Sequence, residues 1–165
     1  MKVLTQAKLH ELLVYNGETG FFTRRCAAGR WGRIPAGTSV GSLRRDGYVK
    51  ALIDGKSYLA HRLAWFYVYG LWPTQQIDHI NGIRSDNRIA NLRDVEPSIN
   101  KQNMMTAQRD NRLGVLGVVQ TGEKFSANIK VFGEQIYLGQ FGTVGEAHAA
   151  YLTAKRERHP GYIER

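Results

Sequence analysis

The chain opens with apolar positions at helical spacing over residues 5–14 (TQAKLHELLV), with Thr5 placed to cap the helix. Tyr15 to Gly20 is rich in turn formers, and Phe21-Phe22-Thr23 then reads as a short strand. Residues 48–53 and 56–60 alternate apolar and polar side chains on either side of Asp54-Gly55, a strong signal for a β-hairpin. The period then changes, and a helix is expected from about Ala60 to Tyr69, closed by Gly70 with Pro73 just beyond. Ile77 to His79 and Leu92 to Val95 read as two strands joined by a long polar loop, residues 80–91. A helix should follow at Pro97-Ser98, with Ser98 as N-cap, through about Met105. Beyond it, Val115–Val119, Phe125–Val131 and Gln135–Phe141 read as three strands, with turns at Thr121-Gly122 and Gly133-Glu134. Thr143 with Glu146 forms a capping box ahead of a last helix. Its apolar stripe is Ala147, Ala150, Tyr151 and Ala154, and it ends at Pro160-Gly161.

These elements predict an α+β chain of small modules: a basic, hairpin-containing region at 1–57, a central unit at 58–105, a linker at 106–112 and a C-terminal unit at 113–165. No apolar run approaches the roughly 18 residues of a membrane span, and the first residues carry Glu11 and no cleavage-site pattern, so neither a membrane partner nor a secretory signal is expected. A single cysteine, Cys26, excludes an internal disulfide and a multi-cysteine zinc site, and fits a cytoplasmic setting. The formal charge of +9 is uneven. Residues 1–60 hold ten Lys/Arg against four Asp/Glu, residues 61–110 six against five, and residues 111–165 seven against five. Most of the positive field therefore belongs to the N-terminal part, where Arg24, Arg25, Arg30, Arg33, Arg44 and Arg45 sit among small residues in a segment that composition marks as mobile. Such a field suits a phosphate-rich partner.

The chemistry concentrates between Ile77 and Asn103. Asp78-His79 stands at the end of a strand, followed by an Asn-rich loop containing Gly82 and then by a helix bearing Asn100. Hydrolysing a phosphodiester needs an activated water and neutralised phosphate charge, and an imidazole near its working pH is a natural proton acceptor. Oxygen ligands such as the Asp78 carboxylate and the Asn100 amide favour Mg²⁺ or Mn²⁺ over Zn²⁺. Asn91 reads as a structural residue that holds the loop. Asn81, Asp86 and Asn87 read as loop-stabilising Asx turns. Arg84, Arg88 and Arg93 are candidate phosphate contacts. His61 and Arg62 read as packing and hydrogen-bonding residues, and His10, His148 and His159 as surface residues.

Asp78-His79, Asn91 twelve positions after that histidine and Asn100 twenty-one after it resemble the core of HNH nucleases, in the His-Asn-Asn variant of phage homing endonucleases. The run Ala60-His61-Arg62-Leu63-Ala64-Trp65 resembles the helix that precedes the core in that branch, and the likeness spans roughly residues 58–104. It implies a ββα-metal fold, His79 as general base, Asp78 and Asn100 as ligands of one divalent metal, and Asn91 as a structural residue of the site. It also implies a double-stranded DNA substrate, 5′-phosphate and 3′-hydroxyl ends, and nicking by a monomer, with a homodimer or two events needed for a double-strand break. A phage-encoded enzyme would act in the bacterial cytoplasm.

Gly117-Val118, Phe125, Ala127, Ile129, Leu138-Gly139, Phe141, Thr143, Glu146-Ala147, Ala150-Tyr151 and Ala154 resemble the AP2 DNA-binding domain. That likeness implies a three-stranded sheet on a helix, with the other sheet face against DNA. Alternation places Ser126, Asn128, Lys130, Gln135 and Tyr137 on that face; Asn128, Lys130 and Tyr137 are taken as DNA-binding candidates. Two other readings stand beside the nuclease: a non-catalytic DNA-binding regulator with a degenerate nuclease fold, and an RNA-directed protein whose strand tyrosines Tyr48 and Tyr58 stack bases.

Overall fold

A computed structural model describes residues 3–104, 106–107 and 111–164. Met105 and residues 108–110 of the expected linker lie outside the described residues. The chain divides into two compact units, Met1–Val95 and Glu96–Arg165. The architecture is mixed α+β with several small sheets.

The first unit begins with α1 (Gln6–Leu12), whose N-cap Thr5 accepts a hydrogen bond from the Lys8 amide at 3.2 Å. The helix stops two residues short of the expected length, because the backbone turns extended at Leu13 and enters β1 (Leu13–Tyr15). β1 pairs antiparallel with β2 (Phe22–Arg24), which pairs with β3 (Ser39–Val40). Asn16 Oδ1 accepts from the Glu18 and Thr19 amides in the connecting turn. β4 (Ser42–Leu43), β5 (Val49–Ile53) and β6 (Lys56–Leu59) form a second sheet. The basic segment 24–47 supplies β3, β4 and an Ala28–Ile34 bridge. Asp54 and Gly55 both have positive φ, 48° and 77°, as a type I′ hairpin requires.

α2 (Ala60–Tyr69) ends on Gly70 in the left-handed conformation, φ 75°, with its amide bonded to Phe66 O. β7 (Gln76–His79) and β8 (Leu92–Val95) form an antiparallel pair that sets Asp78 opposite Arg93 and His79 opposite Leu92. Asp94 fixes the entry to β7 by accepting from the Thr74 and Gln75 amides. One apolar core joins Leu9, Leu13 and Phe22 to Ile53, Leu63 and Ile77. The expected division after residue 57 therefore falls inside a shared core.

The second unit holds α3 (Pro97–Gln102). Its N-cap position is Glu96, not Ser98, because Pro97 takes the first helical position, where its missing N–H costs nothing. β9 (Val118–Thr121), β10 (Lys124–Val131) and β11 (Glu134–Phe141) form an antiparallel sheet with β10 central. α4 (Val144–Arg158) starts with the expected capping box, Thr143 and Glu146 satisfying each other's amides. It buries Ala147, Tyr151 and Ala154. Tyr151 lies so close to Gly117 that a Cβ there would sit 1.9 Å from its ring, so only glycine fits. Asn128, Lys130, Gln135 and Tyr137 share one sheet face, Asn128 opposite Tyr137 and Lys130 opposite Gln135, while Ile129 and Ile136 take the other and join the core. α3 is tied within this unit by Gln102, whose Oε1 accepts from the Gly161 amide at 2.9 Å.

Candidate active site

β7 brings two reactive side chains to adjacent positions and buries both: Asp78 is 6% exposed and His79 4%. Strand alternation puts His79 on the face of Ile77, towards the core, and Asp78 on the face of Arg93. Arg93 Nε and Nη2 reach Asp78 Oδ2 at 2.8 and 2.7 Å, a cross-strand, charge-assisted pair. The guanidinium expected as a phosphate contact is therefore engaged with the expected metal ligand.

His79 Nε2 lies 3.4 Å from Asn87 Oδ1. The Asn87 amide nitrogen donates to Ser85 O, which fixes Oδ1 as the atom turned to the histidine. A carbonyl oxygen only accepts, so in this contact Nε2 carries the proton and Nδ1 the lone pair. Burial pushes the His79 pKa below its ordinary value, against the opposing effects of Asn87 and the Asp78 and Asp86 charges. The imidazole thus stays basic in form at pH 7.

Asn91 ties the loop together. Its Oδ1 accepts from the Asn81 amide at 2.9 Å and its Nδ2 donates to Asp86 O at 2.8 Å. Asp86 gathers the same loop: its carboxylate takes Asn81 Nδ2 and the Arg88 guanidinium, and the Arg88 hydrogen bonds hold its pKa down at about 2. Asn87, expected as an Asx turn, is instead the side chain that meets the histidine. It is held from outside the loop as well: Tyr15 Oη donates to Asn87 O at 2.7 Å, and a Cβ on Gly20 would lie 2.5 Å from Arg88 N. The N-terminal hairpin therefore buttresses the loop. Asn91→Ala strips two hydrogen bonds from the loop and should cost about 1–3 kcal/mol. A thermal melt matching wild type would show that Asn91 does not hold the loop.

His61, a packing residue by its sequence context, lies on the first turn of α2, 5% exposed, with its ring 5.1 Å from that of His79 and perpendicular to it. Tyr48 stands 5.2 Å from His61 and 5.9 Å from His79. Arg84 covers Tyr48 at 5.1 Å and donates to Asp46 O. No spacing rule links residues 48, 61 and 79, and only the packing of the first unit's elements on the β7 hairpin brings them together. Among the other histidines, His159 is buried with Nε2 on Lys130 O, and His10 stacks on Tyr67, so neither is a plain surface residue.

Of the remaining basic candidates, Arg88 is paired with Asp86, and Arg44 with Asp46. Arg25 donates to His10 O, while Arg30, Arg33 and Arg45 are exposed and Arg24 is half-buried. No acidic residue occurs between Glu18 and Asp46. Trp31, beside Arg30, is 83% exposed with φ 61°.

Among the described residues no cluster of three His, Cys, Asp or Glu side chains can hold a metal. A closed protein cage is thus not formed by such residues. A buried carboxylate oxygen beside a histidine fits a hard cation that takes most of its shell from water and phosphate. Asn100 lies on α3 in the second unit, its backbone engaged with Glu96 and Asn103.

Residues 58–102 match the family model described as HNH endonuclease. No curated protein and no solved structure matches the chain. The matched segment contains His61, Asp78, His79, Asn87, Asn91, Arg93 and Asn100. It supports an HNH-type nuclease domain over that segment. No helix among the described residues is long and apolar enough to cross a membrane.

Proposed function

We propose that this chain is a metal-dependent DNA endonuclease of the homing type, with His79 as its general base. The observation that supports this most is a buried, neutral imidazole oriented by Asn87 next to a buried carboxylate, inside the segment that matches the HNH model. His79 takes a proton from the attacking water through its basic nitrogen. The water oxygen bonds to phosphorus, the bond to the 3′ oxygen breaks, and that oxygen leaves with a solvent proton. The ends are a 5′-phosphate and a 3′-hydroxyl. Asp78 and Asn100 would hold a divalent ion, Mg²⁺ or Mn²⁺, which when bound supplies Lewis-acid stabilisation of phosphate and leaving-group charge. Arg93 sets the position of Asp78, and Asn91 and Asp86 keep the loop that carries Asn87. A monomer with one such site nicks one strand. Supercoiled plasmid incubated with Mg²⁺ or with chelator tests the reading: open-circular product with the metal alone supports it, and unchanged plasmid in both sinks it. RNA of matched length in the same assay separates an RNA-directed activity.

DNA attraction would come chiefly from the acid-free basic segment, with the exposed Trp31 offering a stacking surface. The AP2-like sheet face bearing Asn128, Lys130 and Tyr137 would add positional preference. Neutralising Arg24, Arg25, Arg30, Arg33, Arg44 and Arg45 should flatten the dependence of log K on log[salt] by about 0.9 for each phosphate left without its cation. Arg44 should contribute least, since Asp46 already holds it. Truncation at residue 106 is a poorer test, because it removes Lys155 and Gly161, which hold Met104 O and Gln102. A slope unchanged across the arginine variants would move the electrostatic anchor elsewhere.

A further inference from the structure

We propose that His61 is a further catalytic residue, a neutral imidazole that donates a hydrogen bond from Nε2 to a phosphate oxygen of the DNA beside His79; this rests on the nuclease reading.

The two ring nitrogens differ. Nδ1 is sealed from solvent and has no hydrogen-bond partner among the described residues. Nε2 is not sealed in this way, and the ring that carries it lies 5.1 Å from that of His79 and perpendicular to it. A buried N–H without an acceptor is rarer and costlier than a buried lone pair without a donor. The tautomer that suits this site therefore leaves the lone pair on sealed Nδ1 and puts the proton on Nε2. A phosphodiester offers only acceptors to such a group. Burial, with the His79 and Arg62 charges adding to it, lowers the pKa of His61 to about 3, so the ring stays neutral throughout the working range and still donates. Packing alone does not account for the residue. A phenyl ring would fill the place between Tyr48 and His79 without stranding a nitrogen.

Three variants on the full chain separate donation from packing. His61→Phe keeps the ring and removes the donor; Tm should hold or rise, while kcat falls about 10²-fold, the cost of one preorganised donor, and DNA binding weakens by far less than that. His61→Gln places an amide N–H₂ where Nε2 stood and should recover most of that loss. His61→Ala should lower both Tm and kcat. Wild-type kcat in His61→Phe, or a Gln variant no better than Phe, would overturn the proposal. A readout that needs no turnover accompanies these: the ¹⁵N shift of His61 Nε2 on adding a DNA duplex with Ca²⁺. A shift that tracks binding supports donation, and an unmoved Nε2 in bound protein overturns it. If the wild type bound DNA but cut nothing, the nuclease reading would fall while the Nε2 shift still decided this contact.

Discussion

Replacing His79 by alanine is expected to slow DNA cleavage by about 10²–10⁴-fold, the usual worth of a positioned general base, with DNA affinity nearly unchanged. The residue sits at the end of β7, buried and neutral at pH 7, so its loss removes a proton acceptor and no positive charge that attracts phosphate. The pH dependence follows from its environment. Burial lowers the pKa of His79, so the base form persists below the ordinary histidine value of about 6.5. The rate should therefore stay on its plateau as pH falls through 6.5 and drop only below it, as the imidazole takes up a proton. Asn87→Ala removes an interaction that raises this pKa and should push the break lower still, while also lowering the rate through loss of ring orientation. Plasmid nicking followed across pH in wild type, His79→Ala and Asn87→Ala tests the assignment. Full turnover in His79→Ala, at any pH, would remove His79 from the role.

Local chemistry is readable from the chain wherever one short-range rule decides the outcome. Asp54-Gly55 allows positive φ at both turn positions, Gly70 allows a left-handed helix stop, and Thr143 with Glu146 closes a capping box. The adjacency of Asp78 and His79 and the hairpin that carries them are readable for the same reason. What sequence does not disclose is which of several chemically equivalent side chains reaches which partner. Asn87 and Asn91 both lie in the loop, and only the backbone path decides that Asn87 meets His79 while Asn91 ties Asn81 to Asp86. Arg93 reads as a phosphate contact until strand register sets it opposite Asp78. Ser98 is a better capping residue than Glu96, but Pro97 claims the first helical position. His61 reaches His79 through tertiary packing that leaves no periodic trace.

The N-terminal region also changes meaning. Charge alone makes it an electrostatic arm. Leu9, Leu13 and Phe22 build one core with α2 and the β7–β8 pair, and Tyr15 and Gly20 press on the loop that holds Asn87. The region that carries most of the positive charge thus also supports the loop that meets His79. Mutations in the β1–β2 turn are expected to act on cleavage through Asn87 rather than through DNA affinity.

Asp78→Ala should lower activity by about 10³-fold, since losing a metal ligand forfeits several kcal/mol of charge stabilisation, and it should also destabilise the protein. The second effect comes from Arg93. Its guanidinium is three-quarters buried against Asp78 Oδ2, with a side-chain exposure of 24%, and removing the carboxylate leaves a cation in a site built for a pair. Breaking a fully buried pair costs about 3–5 kcal/mol; partial exposure should reduce this to roughly 1–3 kcal/mol by solvent screening. The double variant Asp78→Ala/Arg93→Leu removes both charges and should recover most of the lost stability while remaining inactive. Asn100 carries no charge, so Asn100→Ala breaks no ion pair and should lose metal affinity without the same fall in Tm. Thermal melts, Mn²⁺ titration calorimetry and plasmid nicking on the three proteins separate these effects. Recovery of nicking in the double variant would mean that Asp78 serves only to hold Arg93, and the ligand role assigned to it would be wrong.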